Sequence, residues 1–296
     1  MKGIVATGFF RTGSTFFFSC LRETAAFRCY YEPYHPELLS FISDRDGSHS
    51  VPDKINLGHS LSDDYHSEFY HLNYRKLQDK FNSIERDINH PILFSNSQHS
   101  SLEGYISFLK SEAEICGEIP VYQPNRFNFM LPWLKSKYPD LYLILITRSP
   151  FAVYQSLKVL AENSNVNLVA DDIKSDFWNV SEIYLLLTSI FTTEFSGKVN
   201  FGYYQKLYFI IKFIDFYAGK CAHLIVNYDS LKQDHESIFH FIGKAVNVDM
   251  VDSIAYAEQH LNVPKSKPIN EYFLQLEEET QPLLTHVKAQ CFLKDL

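Results

Sequence analysis

Cysteine is scarce in this chain. Five residues in 296 (Cys20, Cys29, Cys116, Cys221 and Cys291) lie scattered, with no CxxC pair. That pattern suggests neither a zinc motif nor a disulfide framework, and isolated thiols fit a reducing compartment. Long apolar runs are also missing: no stretch reaches the roughly 18 residues that a membrane helix needs. The N-terminus has only Lys2 as a basic residue before Gly8, Arg11 and Gly13 cut the apolar run, which is not a secretory leader pattern. The expectation is a cytoplasmic protein without a membrane span. Positive charge is in deficit, with 27 Lys and Arg against 35 Asp and Glu and a net charge of −8. This argues against a general nucleic-acid binder but leaves room for one local anion site. Internal repeats and low-complexity tracts are absent.

What is present is an apolar, ring-rich chain. Hydrophobic residues make up 46% of it, with 25 Phe and 19 Tyr, enough for a large core and for an aromatic-lined pocket. Short β-branched runs alternate with helical patterns. Strands are predicted at Gly3–Thr7, Phe27–Tyr30, Ile92–Phe94, Ile119–Tyr122, Leu141–Thr147 and His223–Asn227. Helices are predicted at Ser14–Leu21, from about Pro36, and at Glu68–Phe81, Leu102–Glu114, Asn125–Tyr138, Phe151–Leu160 and Asp234–Val246. More helix is expected within 173–220. The run LYLILIT is apolar on both faces, as a central parallel strand must be. The alternation predicts a three-layer α/β/α fold with a mainly parallel sheet, in one domain over 1–296. Residues 43–65 read as a loop or lid. Residues 161–205 read as a helical, acceptor-side region, and the tail beyond PKSKP (264–268) as irregular and then acidic.

In such folds ligands sit beyond the carboxyl ends of the strands. Three candidate sites fall there: Arg11–Thr15, Glu32 and Arg148. The first lies in Gly8-Phe-Phe-Arg-Thr-Gly13-Ser14-Thr15. This has the glycine spacing of the nucleotide-binding pattern GxxxxGK[ST], with Ser14 in place of the lysine that reaches the β- and γ-phosphates. Backbone N–H groups and the helix N-terminus still suit a phosphate. The cation has moved to Arg11, and Thr12, Ser14 and Thr15 offer hydroxyls. The same stretch also reads as a strand-to-helix turn capped by Ser14 or Thr15. Arg148 follows the central strand, and Ser156 lies two turns into the next helix. Together they suit a second phosphate; singly, Arg148 reads as a cap for carbonyls and Ser156 as a helix-surface residue.

Taken together, these stretches resemble the P-loop sulfotransferase family. GFFRTGSTFFFSCL is similar to its 5′-phosphosulfate loop, LYLILITRSPFAVYQSL to its 3′-phosphate motif, and VNYDSL to a later strand-end motif. RFNFMLPWLKSKYPDLYLILITR also resembles the segment leading into the second motif in many bacterial members. The resemblance covers roughly residues 3–232. It departs at Phe9-Phe10, where many members carry a Pro, and at Phe16, where Trp or Tyr is frequent. It implies the P-loop (nucleoside-triphosphate-hydrolase-like) sulfotransferase fold. It also implies metal-independent, in-line transfer of a sulfuryl group from 3′-phosphoadenosine 5′-phosphosulfate (PAPS) to a hydroxyl, leaving adenosine 3′,5′-bisphosphate (PAP). Carried over by position, Arg11, Thr12, Gly13, Ser14 and Thr15 hold the 5′-phosphosulfate, and Arg148 and Ser156 the 3′-phosphate. Tyr228 and Lys265 or Lys267 approach the cofactor.

An acceptor hydroxyl must lose its proton, which requires a base. Glu32, just after the second strand in FRCYYEPYHPEL, is the first candidate. It could also fix the Pro33 turn or pair with Arg11. His35 is the second, and His59, His66 and His99 are weaker. Arg126, with Gln123 nearby, is a candidate for facing the sulfate. The expected acceptor is a small-molecule or carrier-bound hydroxyl compound. A P-loop kinase or NTPase, or a non-catalytic nucleotide-binding protein, is the competing reading.

Overall fold

The computed structural model of the chain describes residues 2–43, 66–88, 100–125, 127–163, 168–169, 172–173, 179–191, 201–262 and 268–293. The strand expected at 92–94 and nearly all of the 43–65 segment lie outside the described residues. So do Arg126, His59, His99, Lys265 and Lys267.

The strands are β1 (Gly3–Gly8), β2 (Phe27–Tyr31), β3 (Ile119–Gln123), β4 (Leu141–Thr147), the two-residue β5 (Leu168–Val169) and β6 (Asp172–Ile173), and β7 (Leu224–Asn227). Five of them form one sheet in the order β2-β3-β1-β4-β7, and every neighbouring pair is parallel. The β5–β6 pair is a separate antiparallel ribbon.

The central strands β1 and β4 are buried on both faces, so β4 carries apolar residues at consecutive positions rather than at alternate ones. The pleat sends Leu141, Leu143 and Leu145 of β4 into one core and Tyr142, Ile144 and Ile146 into the other. The second core is closed by α1 (Ser14–Arg22), α9 (Leu231–Val246) and α10 (Val251–His260). The first is closed by α3 (Tyr74–Ile88), α4 (Ser100–Ile115), α5 (Leu131–Lys137), α6 (Pro150–Asn163), α7 (Val180–Phe191), α8 (Tyr203–Tyr217) and α11 (Glu271–Leu293). The short α2 (Leu38–Ser43) follows β2 and feeds the first core too. The layers are therefore helix, parallel sheet, helix, as the alternation of patterns predicts.

Four predicted elements differ. The 161–205 region, expected to be helical, holds the β5–β6 ribbon as well as α7 and the start of α8. The helix expected over 68–81 is a 3-10 turn (Ser67–His71) followed by α3, because Asn73 restarts the helix: its Oδ1 accepts the Lys76 N–H at 3.1 Å. The helix expected over 125–138 is a 3-10 turn at Phe127–Met130 and then α5, with Pro132 in its first turn. The tail beyond residue 268, read as irregular and then acidic, is the 23-residue α11, and α10 falls in a stretch given no prediction. An internal Pro282 and an acidic start hide that last helix in the sequence. It stands because Thr280, Leu283, Leu284, Val287 and Cys291 form a buried stripe. Tyr204 and Gln205 of α8 also donate hydrogen bonds to Glu277 and Glu279 on it.

The strand order positions the site. From β1 the chain crosses to one side for β2 and β3, then passes over β1 to β4 and β7. The crevice where the direction reverses lies beyond the carboxyl end of β1, between β3 and β4.

Candidate functional site

All five strand ends contribute to this crevice: Gly8 at β1, Glu32 after β2, Gln123 and Asn125 at β3, Arg148 after β4, and Tyr228 and Asp229 after β7. The loop after β1 takes left-handed backbone at Arg11 (φ 65°) and Gly13 (φ 90°). Interleaved left-handed residues are one way a loop gathers N–H groups around an anion. Its foot is fixed internally: Thr12 N–H and Thr12 Oγ1 both donate to the Phe9 carbonyl, at 3.2 and 2.7 Å. Thr12 is 1% exposed, so its hydroxyl braces the loop from inside. Helix α1 begins at Ser14 with Gly13 as its N-cap, and no side chain caps it among the described residues. Neither Ser14 nor Thr15 takes the capping role. Gly13 has no side chain to occupy the first-turn N–H groups, and no acidic residue sits in that turn.

The loop leans on the last strand. A Cβ built on Gly13 would overlap the ring of Tyr228. Tyr228, 8% exposed, lies under the Arg148 guanidinium, whose Cζ is 5.2 Å from the ring centroid. Burial raises the Tyr228 phenol above its ordinary pKa, partly offset by Arg148 and Arg11. The ring therefore stays neutral, forming a wall for the loop.

The structure joins the two anchors read from the sequence. Arg148 Nη1 donates to the Arg11 carbonyl at 3.1 Å, and Arg11 Nε donates to Ser156 Oγ on α6 at 2.9 Å. Arg148 is aimed by Asp229, which accepts from Arg148 Nε at 3.1 Å and from the Ser149 N–H at 3.0 Å. Two guanidinium groups consequently share one half-buried space. The Arg11 pKa is lowered, first by burial and then by the charge of Arg148. Arginine keeps its proton regardless, so the pair gains when an anion enters. Among the described residues, no group of three or more His, Cys, Asp or Glu is placed to hold a metal ion.

Glu32 faces this loop from the β2 side. Its backbone is left-handed (φ 38°), its N–H donates to the Gln123 carbonyl at 3.0 Å, and its Oε1 accepts from Asn125 Nδ2. Asn125 Oδ1 in turn accepts from Ser14 Oγ at 3.1 Å and Gln123 Nε2 at 2.7 Å. Thr15 Oγ1 and Tyr31 OH are hydrogen-bonded at 3.1 Å. His35 sits in the turn beyond Glu32, where its Nδ1 accepts the Glu37 N–H at 3.2 Å. The ring of His66 lies 5.7 Å from that of Tyr31. Arg11, Ser156, Arg148 and Tyr228 thus form one linked set of contacts, and Ser14, Gln123 and Glu32 another through Asn125. The sequence reasoning does not single out Asp229 or Asn125, although their place just past a strand end is a usable signal.

The geometry can be set beside known proteins. No protein-family model matches the chain. Over its whole length it superposes on 76% of a chain described as sulfotransferase STF9 from Mycobacterium avium, a crystal structure, with a TM-score of 0.51 and 14% identity. The fold is sulfotransferase-like. At that identity the likeness is one of fold alone. An uncharacterized protein from Archaeoglobus fulgidus is 29% identical over 178 residues. That match takes in 56% of this chain and 51% of the relative, so the chain spans about half the length of the curated protein it matches. The sulfotransferase-like fold brings the Gly8–Thr15 loop, Arg148 and Glu32 to one sheet end, as the motif order implies. No described helix is long and apolar enough to cross a membrane.

Proposed function

We propose that this chain is a PAPS-dependent sulfotransferase acting on a hydroxyl of a small-molecule or carrier-bound acceptor. The observation that carries the reading is the bridge between the two anchors: Arg11 Nε on Ser156 Oγ, and Arg148 Nη1 on the Arg11 carbonyl. A ligand with two phosphate groups at a fixed separation matches two cations tied in this way. A residue that reaches a γ-phosphate is missing from the loop, where Ser14 stands.

Bound PAPS would supply the sulfuryl group and a stable bisphosphate leaving group. The chain's own residues do the rest. The uncapped N-terminus of α1 and Arg11 hold the 5′-phosphosulfate, while Arg148 and Ser156 hold the 3′-phosphate. Arg11 stabilises the charge that builds on the transferred group's oxygens, in a half-buried setting where a fixed cation acts strongly. Glu32 accepts the acceptor's hydroxyl proton on its carboxylate. His35 is the alternative base.

Calorimetric titration with PAP and with ATP plus magnesium tests the binding half. PAP should bind at least about tenfold more tightly, a difference of about 1.4 kcal/mol. Equal or tighter ATP binding overturns the reading. For the chemistry, 35S-labelled PAPS is offered with a panel of hydroxylated metabolites. Glu32→Gln should keep PAP binding within about threefold and lower transfer by about a hundredfold or more. Unchanged transfer in that variant removes Glu32 from the base role.

A further inference from the structure

We infer that Asn125 is a positioning residue that aims the Glu32 carboxylate and ties it to the glycine loop, an inference that rests on the sulfotransferase reading above. Its carboxamide stands between the two. Oδ1 accepts from Ser14 Oγ of the loop at 3.1 Å and from Gln123 Nε2 at 2.7 Å. An amide oxygen has two acceptor positions, and both are filled by donors. This leaves one orientation for the group, with Nδ2 pointing at Glu32, and that is where Nδ2 donates to Oε1.

The root of the side chain is as constrained as its tip. The preceding carbonyl, Pro124 O, accepts from Thr7 Oγ1 of β1 at 2.5 Å. The carbonyl of Asn125 itself accepts from Asn128 Nδ2 at 3.2 Å. Thr7, Gln123 and Asn128 are all buried, at 0%, 0% and 2% exposure. Glu32 is fixed at its backbone by the same strand end, through the Gln123 carbonyl, and holds a left-handed φ of 38° that a non-glycine residue adopts only where its surroundings impose it. Three consecutive residues, Gln123 to Asn125, therefore set backbone, side chain and loop contact of one carboxylate.

The chemistry selects an amide at this position. Aspartate would keep the acceptor for Ser14 and Gln123 but oppose Glu32 with a second carboxylate. A hydrophobic residue would break both links. A donor to a carboxylate oxygen favours the ionised, proton-accepting form and fixes which oxygen remains to meet the acceptor.

The test compares wild type with Asn125→Asp and Asn125→Ala, using the full chain and checking folding by thermal melt. The Glu32 carboxyl is followed by 13C NMR titration, its signal assigned by loss in Glu32→Gln. In Asn125→Ala the titration should move up by about one pH unit, and in Asn125→Asp further, because a charged-group hydrogen bond is lost and then replaced by repulsion. In the transfer assay, kcat should fall about tenfold or more and the acid limb of its pH profile should move up with the carboxyl. PAP affinity and acceptor KM should stay within about threefold. A Glu32 titration unmoved in both variants overturns the inference, as does a loss confined to PAP affinity. Absence of PAP binding and transfer in the wild type would instead sink the functional reading, and the NMR titration would still decide whether Asn125 controls Glu32.

Discussion

Gly13 shows how narrowly single residues are specified here. Its φ of 90° lies where side chains are rarely tolerated, and the face a Cβ would occupy is taken by the Tyr228 ring. Gly13→Ala should therefore lose about 2–5 kcal/mol of stability from backbone strain plus overpacking, read from the urea midpoint, and should weaken PAP binding. A loss below about 1 kcal/mol would mean that the ring gives way easily. Arg11, Arg148 and Ser156 were legible in the sequence because the loop and the strand-end arginine carry a recognisable spacing. Asn125 and Asp229 were not, since Asn and Asp follow strands in most turns and only three-dimensional contact separates a positioning amide from a turn former.

At the scale of elements, β7 is short and half exposed, and it joins β4 with help from a side chain. The His223 N–H donates to the Leu143 carbonyl at 2.8 Å, and His223 Nδ1 accepts the Leu143 N–H at 3.0 Å, extending the ladder by one step. Only neutral imidazole can accept in this way. Burial, and then Lys135, holds the His223 pKa below its ordinary value. The unfolded chain therefore takes up this proton first, near pH 6.5. The stabilisation is complete above that pH and is lost as pH falls through the lower, folded value. Calorimetric melting should show a drop in Tm between pH 7.5 and 5.5 that is smaller in His223→Asn, whose amide oxygen can take the acceptor role without titrating. An equal drop would remove His223 from the pH response. The sheet strands were readable because a short run that is apolar at every position, bounded by turn residues, matches a strand buried on both faces. Helix α11 was missed because its buried stripe starts late, after an acidic turn and around a proline.

Across the whole molecule, charge and site oppose each other. The chain carries a net −8, yet two guanidinium groups converge where the strands end. An anionic ligand is repelled at long range and attracted at short range, and salt affects the two differently. If the site attraction dominates, raising KCl from about 50 mM to about 500 mM should weaken PAP binding by about tenfold, and Arg148→Gln should flatten that dependence. Tighter binding at high salt would show that the overall charge governs instead. At this scale the layer architecture was legible from alternation, but the order β2-β3-β1-β4-β7 was not. Periodicity says which face of a strand is buried and nothing about its neighbour.

That order has a consequence for how the chain is made. β1 is made before the other strands of the sheet and lies at its centre, yet its two partners, at 119–123 and 141–147, emerge more than a hundred residues later. At about 5–20 residues per second, an apolar strand with both edges unpaired waits on the order of ten seconds. Tyr228, against which the glycine loop rests, comes later still. A nascent chain should thus engage chaperones while β1 is unpaired and complete its anion site only after β7 and Tyr228 have emerged.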